Sequence, residues 1–444
     1  MRFNYKAYQL LGAFLKETQN VTKVTKQCIY KKYIYREQIL NRNDMLAKKI
    51  IIVGGGNAGL SVASQLLRKD KSLDISIIDP SENHYYQPAW TLVGAGVFNI
   101  NKTVRAEADY IPHGATWIRD AVETFLPEEN KVVCKTGDVY QYDALVVCPG
   151  IQLDWQKIKG FKETLGKNTV TCNYSFDVAP YTWELIKNFK GGTAVFTNPV
   201  GPVKCGGAPH KIMYLACDYW RKQGILDKCE VHFLSGAGVI FDVKEYAATL
   251  TEIIKNNNIQ PHFTVNVTEI DGVGKTVYYE EKDAAGIAMR KQIKFDMCHA
   301  VPPQSAPDFI KKSPLSDPNN PFGFVEVNKA TMQHSRFANV FALGDCTNAP
   351  AKKTGAAIRK QAPVVVTNLL AVLSNKPVIA QYDGYSACPI PTQYGKLMLA
   401  EFDYSNTPKM TFPFDQVKPR WTMWILKTKV LPWLYWNKIL KGTA

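Results

Sequence analysis

The chain has 444 residues, 46% of them apolar, which is enough for two or three domains and argues against a disordered or small disulfide-stapled protein. The formal net charge of +15 suits an anionic membrane surface or anionic substrates, and because no recognisable nucleic-acid module accompanies it, no nucleic-acid partner is expected. No apolar run reaches the roughly 18 residues of a membrane-spanning helix. The cysteines also show no C-x-x-C spacing, the pattern that would predict a zinc site.

The first 47 residues precede the first predicted strand and belong to no βαβ unit. Lys and Arg are frequent in this segment and acids are scarce, which is typical of an organelle transit peptide. We expect residues 1–47 to be a mitochondrial presequence. A basic, disordered tail is the alternative, because the segment has more lysine than arginine and little serine.

A glycine-rich turn follows the apolar strand predicted at residues 49–53 and leads into a helix-like run. Its glycines fit G-x-G-x-x-G at Gly54, Gly56 and Gly59, which allows a tight turn, close approach of a pyrophosphate and close helix packing. The start of the helix offers free N–H groups to the phosphates. A second predicted strand ends at Asp79, twenty residues after Gly59, where an acid binds the adenosine ribose of a dinucleotide. These features favour a dinucleotide-binding fold over an ordinary glycine turn.

Later segments complete the pattern of a flavoprotein with two dinucleotide-binding folds. A short buried strand ends in Gly150, where such flavoproteins return to the cofactor. Another strand ends in Asp345, and the aspartate at this place contacts the ribityl and phosphate end of FAD in this class. Residues 353–356 then open a helix whose N-terminus can face the isoalloxazine ring. Elements of this kind in this order predict FAD as the cofactor.

The second α/β unit, which begins near residue 168, lacks the usual nucleotide fingerprint. Its strand, predicted at residues 192–197, leads into residues 198–209, where three prolines intrude and the glycine spacing is wrong. Since proline has no N–H, this turn cannot present the row of donors that binds a pyrophosphate. We infer that the nicotinamide site is missing or altered and that electrons enter by another route.

Cys205 lies within that segment, just before a predicted helix, beside Lys204 and near Lys211. A helix N-terminus and neighbouring ammonium groups both stabilise a thiolate, the reactive form of cysteine. Most of the other cysteines are expected to be buried apolar fillers. The surroundings of Cys205 therefore predict a stabilised thiolate.

The C-terminal segment, residues 420–444, holds four of the nine tryptophans, with interleaved lysines around an apolar stripe. This mixture is typical of amphipathic helices in a membrane interface. Pro432 predicts two short helices rather than one. We expect a membrane-interface tail, and an amphipathic helix packed on the protein body is the alternative.

Residues 203–209 and 385–389 resemble the corresponding segments of the sulfide:quinone oxidoreductase family of the mitochondrial type. The resemblance runs from about residue 48 to residue 442 and includes residues 85–88, 339–348 and 399–404. It implies FAD as the cofactor, ubiquinone as the electron acceptor, and Cys205 and Cys388 as a redox pair. With the leader and the tail, it implies a peripheral position on the mitochondrial inner membrane.

The motifs and the resemblance together place the FAD contacts in the glycine turn, the ribose acid, the return strand and the helix that opens near residue 353. In chain order these residues are Gly54, Gly56, Asn57, Ala58, Gly59, Asp79, Gln87, Val122, Gly150, Asp345, Lys353, Thr354, Gly355 and Ala356. Two positions depart from the family's pattern. Cys148 replaces a threonine-type residue, and His210 stands where relatives often carry a polar amide.

The mechanism that the resemblance implies couples thiol–disulfide exchange to a flavin. Hydrogen sulfide attacks the oxidised cysteine bridge and leaves a persulfide on Cys388, while the thiolate of Cys205 passes two electrons to FAD. A low pKa of the leaving thiol speeds this exchange. The sulfane sulfur goes to a small acceptor such as glutathione or sulfite, and the reduced flavin passes its electrons to ubiquinone.

The expected fold class is α/β, with two Rossmann-like dinucleotide-binding folds of the flavoprotein disulfide reductase type and a C-terminal amphipathic membrane-binding tail. We place the FAD-binding domain at residues 48–165 and 306–380, the second Rossmann-like domain at 166–305, and the redox-cysteine and membrane-interface region at 381–444. Two alternatives stay open. One is a type II NADH:quinone dehydrogenase, which shares the folds and a similar tail. The other is a non-enzymatic flavoprotein that binds a membrane or a protein partner.

Overall fold

The computed structural model of the chain describes residues 47–444. Contacts divide the chain into Met1–Lys48 and a compact unit, Lys49–Ala444, and the fold and the candidate site belong to the second of these. The presequence predicted for residues 1–47 lies outside the described residues, except for Ala47.

A five-stranded parallel sheet forms the first dinucleotide-binding fold. Its central strand, Lys49–Val53, is buried over its last four residues and pairs with Asp74–Ile78 on one side and Ala144–Val147 on the other. Burial on both faces explains why residues 50–53 and Ala144–Val147 are continuous apolar runs. In sheet order the strands are Val340–Ala342, Ala144–Val147, Lys49–Val53, Asp74–Ile78 and Ala115–Ile118.

The second dinucleotide-type fold is built on another five-stranded parallel sheet. Its longest strands, Gly192–Asn198 and Cys229–Ser235, pair along their whole lengths. In sheet order the strands are Val170–Thr171, Met297–His299, Gly192–Asn198, Cys229–Ser235 and Ile259–Phe263. The two sheets confirm the predicted fold class of two Rossmann-like folds.

Five smaller antiparallel sheets complete the strands of the described chain. They are Asn83–Tyr85 with Val104–Ala106; Val122–Leu126 with Lys131–Cys134 and Val139–Gln141; Gln152–Leu153 with Gln304–Ser305; Asn266–Asp271 with Thr276–Lys282 and Ala288–Lys294; and Ser386–Gln393 with Lys396–Phe402. The sequence also predicts a strand at residues 322–327, which is wrong, because Val325 forms only isolated bridges to Ser316 and Thr347.

The helices before the tail alternate with these strands. They are Asn57–Lys69, Trp90–Gly94, Phe161–Thr164, Ala179–Asn188, Ala208–Lys222, Lys244–Asn256, Asp308–Lys311 and Gly355–Leu373. The longest, Gly355–Leu373, packs against Asn57–Lys69 in the FAD-binding fold. Within residues 47–444 it is the one helix whose length and composition would suit a membrane span, but half of its apolar window is buried inside the protein, as in a core helix.

The C-terminal segment forms one continuous helical stretch, residues 421–439, which we call the tail helix. Pro432 lies inside it, between π-type turns at Leu426–Val430 and Tyr435–Ile439. The wider bonding of these turns accommodates the missing proline N–H, so the prediction of two separate helices is wrong.

The two sides of the tail helix have different surroundings. Tyr435 and Trp436 are buried against the body of the protein. Trp421 and Trp433, in contrast, are 64% and 56% exposed. The tail helix therefore packs on the body of the protein, as the alternative expects, and leaves two tryptophans exposed, while contact with a membrane stays a prediction.

Candidate active site

Cys205 and Cys388 meet at the junction of the two folds. Cys205 lies in the loop between the strand Gly192–Asn198 and the helix Ala208–Lys222, and Cys388 lies in the strand Ser386–Gln393. Both are free thiols, and their Sγ atoms are 3.9 Å apart. A disulfide bond is about 2.05 Å long, so a small movement of the two side chains would close a bridge.

The backbone around Cys205 is held from several sides. Its N–H donates to the carbonyl oxygen of Lys353 at 2.7 Å, and the N–H of Lys204 donates to the side-chain oxygen of Gln304 at 2.8 Å. Cys205 itself has a φ of 54°, in the left-handed region that residues other than glycine seldom adopt. The segment that takes the place of a second glycine fingerprint therefore holds Cys205 against the FAD-binding domain.

A glycine next to the pair makes room for the second sulfur. A Cβ placed on Gly207 would lie 2.6 Å from Cys388 Sγ, whereas a Cβ on the neighbouring Gly206 would meet no atom within 4 Å. A side chain at position 207 would therefore displace the Cys388 sulfur, and one at position 206 would not.

Two buried lysines act on the cysteine pair. Lys211 Nζ lies 2.9 Å from Cys205 Sγ. Lys427, in the tail helix, is 5% exposed and donates to the carbonyl oxygen of Pro88 at 2.8 Å. Burial beside Lys211 lowers the pKa of Lys427 to about 8. The sequence groups Lys427 with the lysines of the membrane interface, and the structure instead places it inside the protein.

The two thiols differ in acidity. A hydrogen bond from Cys388 and the nearby charges of Lys211 and Lys427 hold the pKa of Cys205 well below its ordinary value, against the effect of burial. The hydrogen bond to Cys205, burial and the charge of the neighbouring thiolate raise the pKa of Cys388. Cys205 is therefore the thiolate of the pair and Cys388 the thiol, as a pair poised for exchange requires.

The glycine turn has the shape of a pyrophosphate cradle. A Cβ on Gly54 would lie 2.5 Å from the carbonyl oxygen of Cys148, and one on Gly59 would lie 1.9 Å from that of Gly54, so both positions require glycine. A Cβ on Gly56 would meet nothing within 4 Å, which leaves the open side of the turn to a ligand. The buried Oδ1 of Asn57 has no hydrogen-bond partner among the described residues. An orphaned polar atom beside a free helix N-terminus fits a bound dinucleotide.

The predicted ribose acid lies directly on this turn. Asp79 Oδ2 accepts a hydrogen bond from the N–H of Gly55 at 2.6 Å. Val122 is buried at the start of its strand, and Gly150, with a φ of 82°, borders open space. Gln87 Oε1 accepts from Lys204 Nζ at 2.6 Å, which links this half of the cradle to the loop of Cys205.

The helix Gly355–Leu373 brings its N-terminus to the same groove. A Cβ on Gly355 would lie 3.5 Å from Asn57 Nδ2, and a Cβ on Gly344 would lie 3.8 Å from the Cβ of Ala58. The Thr354 hydroxyl caps the helix by accepting from the N–H of Ala357 at 3.2 Å, and the half-buried Ala356 follows it.

Lys353 closes the groove beside Asp345. Its Nζ donates to the carbonyl oxygens of Asp345 and Thr347 at 2.7 and 3.0 Å. Burial lowers the pKa of Lys353 to about 8 and raises the pKa of Asp345, although the nearby lysines favour the charged carboxylate. The glycine turn, Asp79 and the N-terminus of the helix Gly355–Leu373 therefore border one groove whose shape fits a dinucleotide, and the individual FAD contacts stay predictions.

A cavity of about 330 Å³ leads to the second cysteine. Cys388, His210 and Lys353 are among the residues that line it, and so are Lys352 and Asp242, which form an ion pair in its wall. His210 is 2% exposed, and burial together with Lys211 lowers its pKa to about 3, so this imidazole is neutral at physiological pH.

Two dinucleotide-binding folds, a FAD cradle and a cysteine pair at their junction define a flavoprotein of the disulfide reductase class. In agreement, the family described as "Pyridine nucleotide-disulphide oxidoreductase" matches residues 48–177. The chain is 48% identical over 396 residues to "Sulfide:quinone oxidoreductase, mitochondrial" of Dictyostelium discoideum, a match that covers 89% of this chain and 86% of the relative. The chain therefore belongs to the sulfide:quinone oxidoreductase family, and FAD is its cofactor.

Two further comparisons agree with this assignment. The mouse protein of the same name is 41% identical over 394 residues, covering 89% of this chain and 86% of the relative. The crystal structure of the sulfide:quinone oxidoreductase from Aquifex aeolicus shares the fold, with a TM-score of 0.74 at 20% identity, covering 89% of this chain and 92% of that one. The family resemblance, the mitochondrial assignment and the FAD cofactor predicted from the sequence are thereby confirmed, and family membership favours sulfide oxidation over the NADH-dependent alternative.

Proposed function

We propose that this enzyme oxidises hydrogen sulfide at Cys205 and Cys388 and passes two electrons through FAD to ubiquinone at the mitochondrial inner membrane. Family membership gives the overall reaction of sulfide and quinone. The roles of individual residues and of the remaining partners are the proposal. The observation that carries it is the 3.9 Å contact between the two sulfurs, beside an ammonium group 2.9 Å from one of them.

The cycle begins with the two cysteines joined as a disulfide. Hydrosulfide attacks the sulfur of Cys388, the bond between the cysteines breaks, and Cys205 leaves as a thiolate while Cys388 becomes a persulfide. Lys211 stabilises the departing thiolate, and a leaving group of low pKa speeds exchange. Attack at Cys388 rather than Cys205 follows from the acidities, because Cys205 is the better leaving group.

The second half of the cycle restores the disulfide. An acceptor nucleophile takes the outer sulfur from the Cys388 persulfide and leaves Cys388 reduced. The two cysteines then re-form their bond and release two electrons and their remaining proton. Bound FAD supplies the two-electron acceptor for this step and the means of passing electrons on to the quinone. Lys427 and Lys211 keep the site positively charged as the thiolate forms.

The sulfur acceptor is proposed to be a small nucleophile such as glutathione or sulfite. The cavity of about 330 Å³ that reaches Cys388 has room for a small molecule rather than a protein. Among its lining residues, Lys352 is paired with Asp242, and Lys353 adds a further ammonium group that favours an anionic acceptor.

The tail helix is proposed to hold the enzyme on the membrane surface and to bring quinone within reach. Trp421, Val430 and Trp433 are exposed apolar side chains within one short helical segment. Indole rings with interleaved lysines favour the headgroup layer of a bilayer. Because Lys427 of the same helix lies inside the protein and its charge acts on the cysteine pair, the proposed membrane-facing element is coupled electrostatically to the redox site.

Anaerobic addition of sulfide to the purified enzyme tests the proposal. Sulfide should bleach the visible absorbance of the bound flavin, and a short-tailed ubiquinone analogue should restore it. NADH at the same concentration should leave the spectrum unchanged. Bleaching by NADH but not by sulfide would instead support the type II NADH:quinone dehydrogenase, and a flavin that responds to neither would support the non-enzymatic alternative.

A further inference from the structure

A second carboxylate borders the glycine turn beside Asp79. Glu107 follows the strand Val104–Ala106 and its side chain is 3% exposed. A Cβ on Gly55 would lie 2.7 Å from Glu107 Oε1 and 3.1 Å from the Cβ of Asp79. Both acids therefore crowd the same backbone position, which explains a glycine at position 55, outside the G-x-G-x-x-G pattern.

The two oxygens of Glu107 have different environments. Oε2 lies 2.9 Å from His84 Nδ1, while the buried Oε1 has no hydrogen-bond partner among residues 47–444. Burial raises the pKa of Glu107 and the nearby Asp79 adds to this effect, whereas His84 opposes it. A buried acceptor without a donor is costly, unless a ligand supplies the donor.

His84 connects this carboxylate to the tail helix. Its Nε2 lies 2.7 Å from the hydroxyl of Tyr435. Burial raises the pKa of Tyr435 well above its ordinary value, so the phenol keeps its proton and donates it to Nε2. The other ring nitrogen, Nδ1, then carries the hydrogen and donates to Glu107. The chain of contacts orients Oε1 toward the glycine turn.

We propose that Glu107 is a second carboxylate for the adenosine ribose of FAD, positioned by His84 and Tyr435. The ribose is a vicinal diol with two O–H donors. Asp79 already accepts hydrogen bonds from the N–H groups of Gly55 and Ser81. Glu107 Oε1 lies beside it and accepts no hydrogen bond from the described residues. The assignment rests on the placement of FAD proposed above. It implies that the tail helix, through Tyr435, helps to retain the cofactor.

The tail helix and Leu440, which follows it, also contact the helix that begins at the glycine turn. The hydroxyls of Ser61 and Ser64 donate to the carbonyl oxygens of Ile439 and Leu440 at 3.2 and 2.7 Å. The end of the chain thus contacts the helix Asn57–Lys69 directly. Through Tyr435 and His84 it also contacts Glu107, which lies beside the glycine turn where this helix begins. Loss of the Tyr435 hydroxyl should loosen FAD although this residue does not touch the cofactor.

The test measures FAD affinity by equilibrium dialysis of the holoenzyme, for the wild type, Glu107→Gln, Tyr435→Phe and the control Glu82→Gln, whose side chain is 77% exposed. Glu107→Gln should weaken FAD binding by roughly 10- to 100-fold, because it removes a charged acceptor. Tyr435→Phe should weaken it by about 2- to 10-fold, because it removes one neutral hydrogen bond. Glu82→Gln should bind as the wild type does.

Analogues of FAD with a 2′-deoxy- or 3′-deoxyadenosine separate direct contact from structural damage. If Glu107 binds a ribose hydroxyl, wild type and Glu107→Gln should bind at least one analogue equally well. An equal loss of affinity for FAD and for both analogues would overturn the proposal, as would unchanged FAD affinity in Glu107→Gln. If Glu107→Gln did not fold, the same comparison with Tyr435→Phe would decide. A wild type that binds no FAD would instead contradict the proposed function.

Discussion

The Sγ atoms of Cys205 and Cys388 lie 3.9 Å apart although 183 positions separate them in the chain. One sulfur comes from a loop of the second dinucleotide-binding fold and the other from a two-stranded sheet that follows the FAD-binding fold. Neither fold alone could bring them together. The active site therefore depends on the contact between this two-stranded sheet and the second fold, and on Lys211 and Lys427, which lie in the helix Ala208–Lys222 and in the tail helix.

Replacement of either cysteine should stop the reaction. We expect Cys205→Ser and Cys388→Ser each to abolish sulfide-dependent quinone reduction, because a serine can neither form the disulfide nor carry the persulfide. Both variants should keep FAD, since neither thiol lies in the glycine turn. Cys229→Ser is the control, because Cys229 is a partly buried thiol at the start of the strand Cys229–Ser235 and has no proposed role in the reaction. Turnover and flavin content measure the two effects, and substantial turnover in either active-site variant would contradict the assignment.

Lys211 should set the acidity of Cys205. Lys211→Met removes the ammonium group 2.9 Å from the sulfur, and we expect the pKa of Cys205 to rise toward that of an ordinary thiol. The pH dependence of iodoacetamide labelling of the reduced protein, read from the Cys205 peptide by mass spectrometry, measures this change. Lys222→Met, at the exposed end of the same helix, is the control. An unchanged titration in Lys211→Met would show that this ammonium does not stabilise the thiolate.

His210 should make the protein sensitive to acid. Burial depresses its pKa from 6.5 to about 3, so between these values the unfolded chain binds a proton that the folded protein does not. Stability is therefore full above about pH 6.5 and falls as the pH decreases toward 3. Between pH 7 and pH 5 the wild type should lose about 2 kcal/mol more free energy of unfolding than His210→Gln. Denaturant titrations measure this, with the exposed His113→Gln as a control that should follow the wild type.

The exposed tryptophans of the tail helix should bind membranes. Removing the whole tail would also remove Lys427 and Tyr435, so point substitutions are the sharper test. We expect the double variant Trp421→Ser and Trp433→Ser to lose most of its co-sedimentation with anionic liposomes and to reduce long-tailed quinones more slowly. Val273→Ser, which removes an 88% exposed apolar side chain elsewhere, should bind as the wild type does. Equal sedimentation of all three proteins would contradict the membrane assignment.

The parts of the molecule that depend on local sequence could be predicted. The glycine turn, Asp79 and the buried parallel strands follow from patterns within a few residues, because turn geometry and burial on two faces restrict the residue types directly. Cys205 was a candidate for the same reason, since its neighbours in sequence already suggest a stabilised thiolate. The pairing with Cys388 came from the family resemblance, because no local pattern connects residues so far apart.

Other features depend on tertiary contacts that local patterns do not reveal. The strand Ser386–Gln393 contains Pro389 and Pro391, which argue against a strand, but in a two-stranded sheet proline N atoms can point away from the partner. The sequence pattern places Lys427 and Tyr435 in an amphipathic helix with an exposed face. In the structure both side chains are buried, because the tail helix packs on the body of the protein. Glu107 follows no motif, and its position beside Gly55 appears only in three dimensions.

Two adjacent glycines provide the closest matched test of the cysteine geometry. A Cβ on Gly207 would lie 2.6 Å from Cys388 Sγ, a contact that the sulfur must relieve by moving, whereas a Cβ on Gly206 would meet no atom within 4 Å. We expect Gly207→Ala to keep its fold and its FAD but to lose most sulfide-dependent quinone reduction, because Cys388 can no longer reach both Cys205 and the cavity. Gly206→Ala should retain nearly full turnover. Thermal melting, flavin content and steady-state rates compare the two variants, and equal activity would show that the position of the Cys388 sulfur does not limit the reaction.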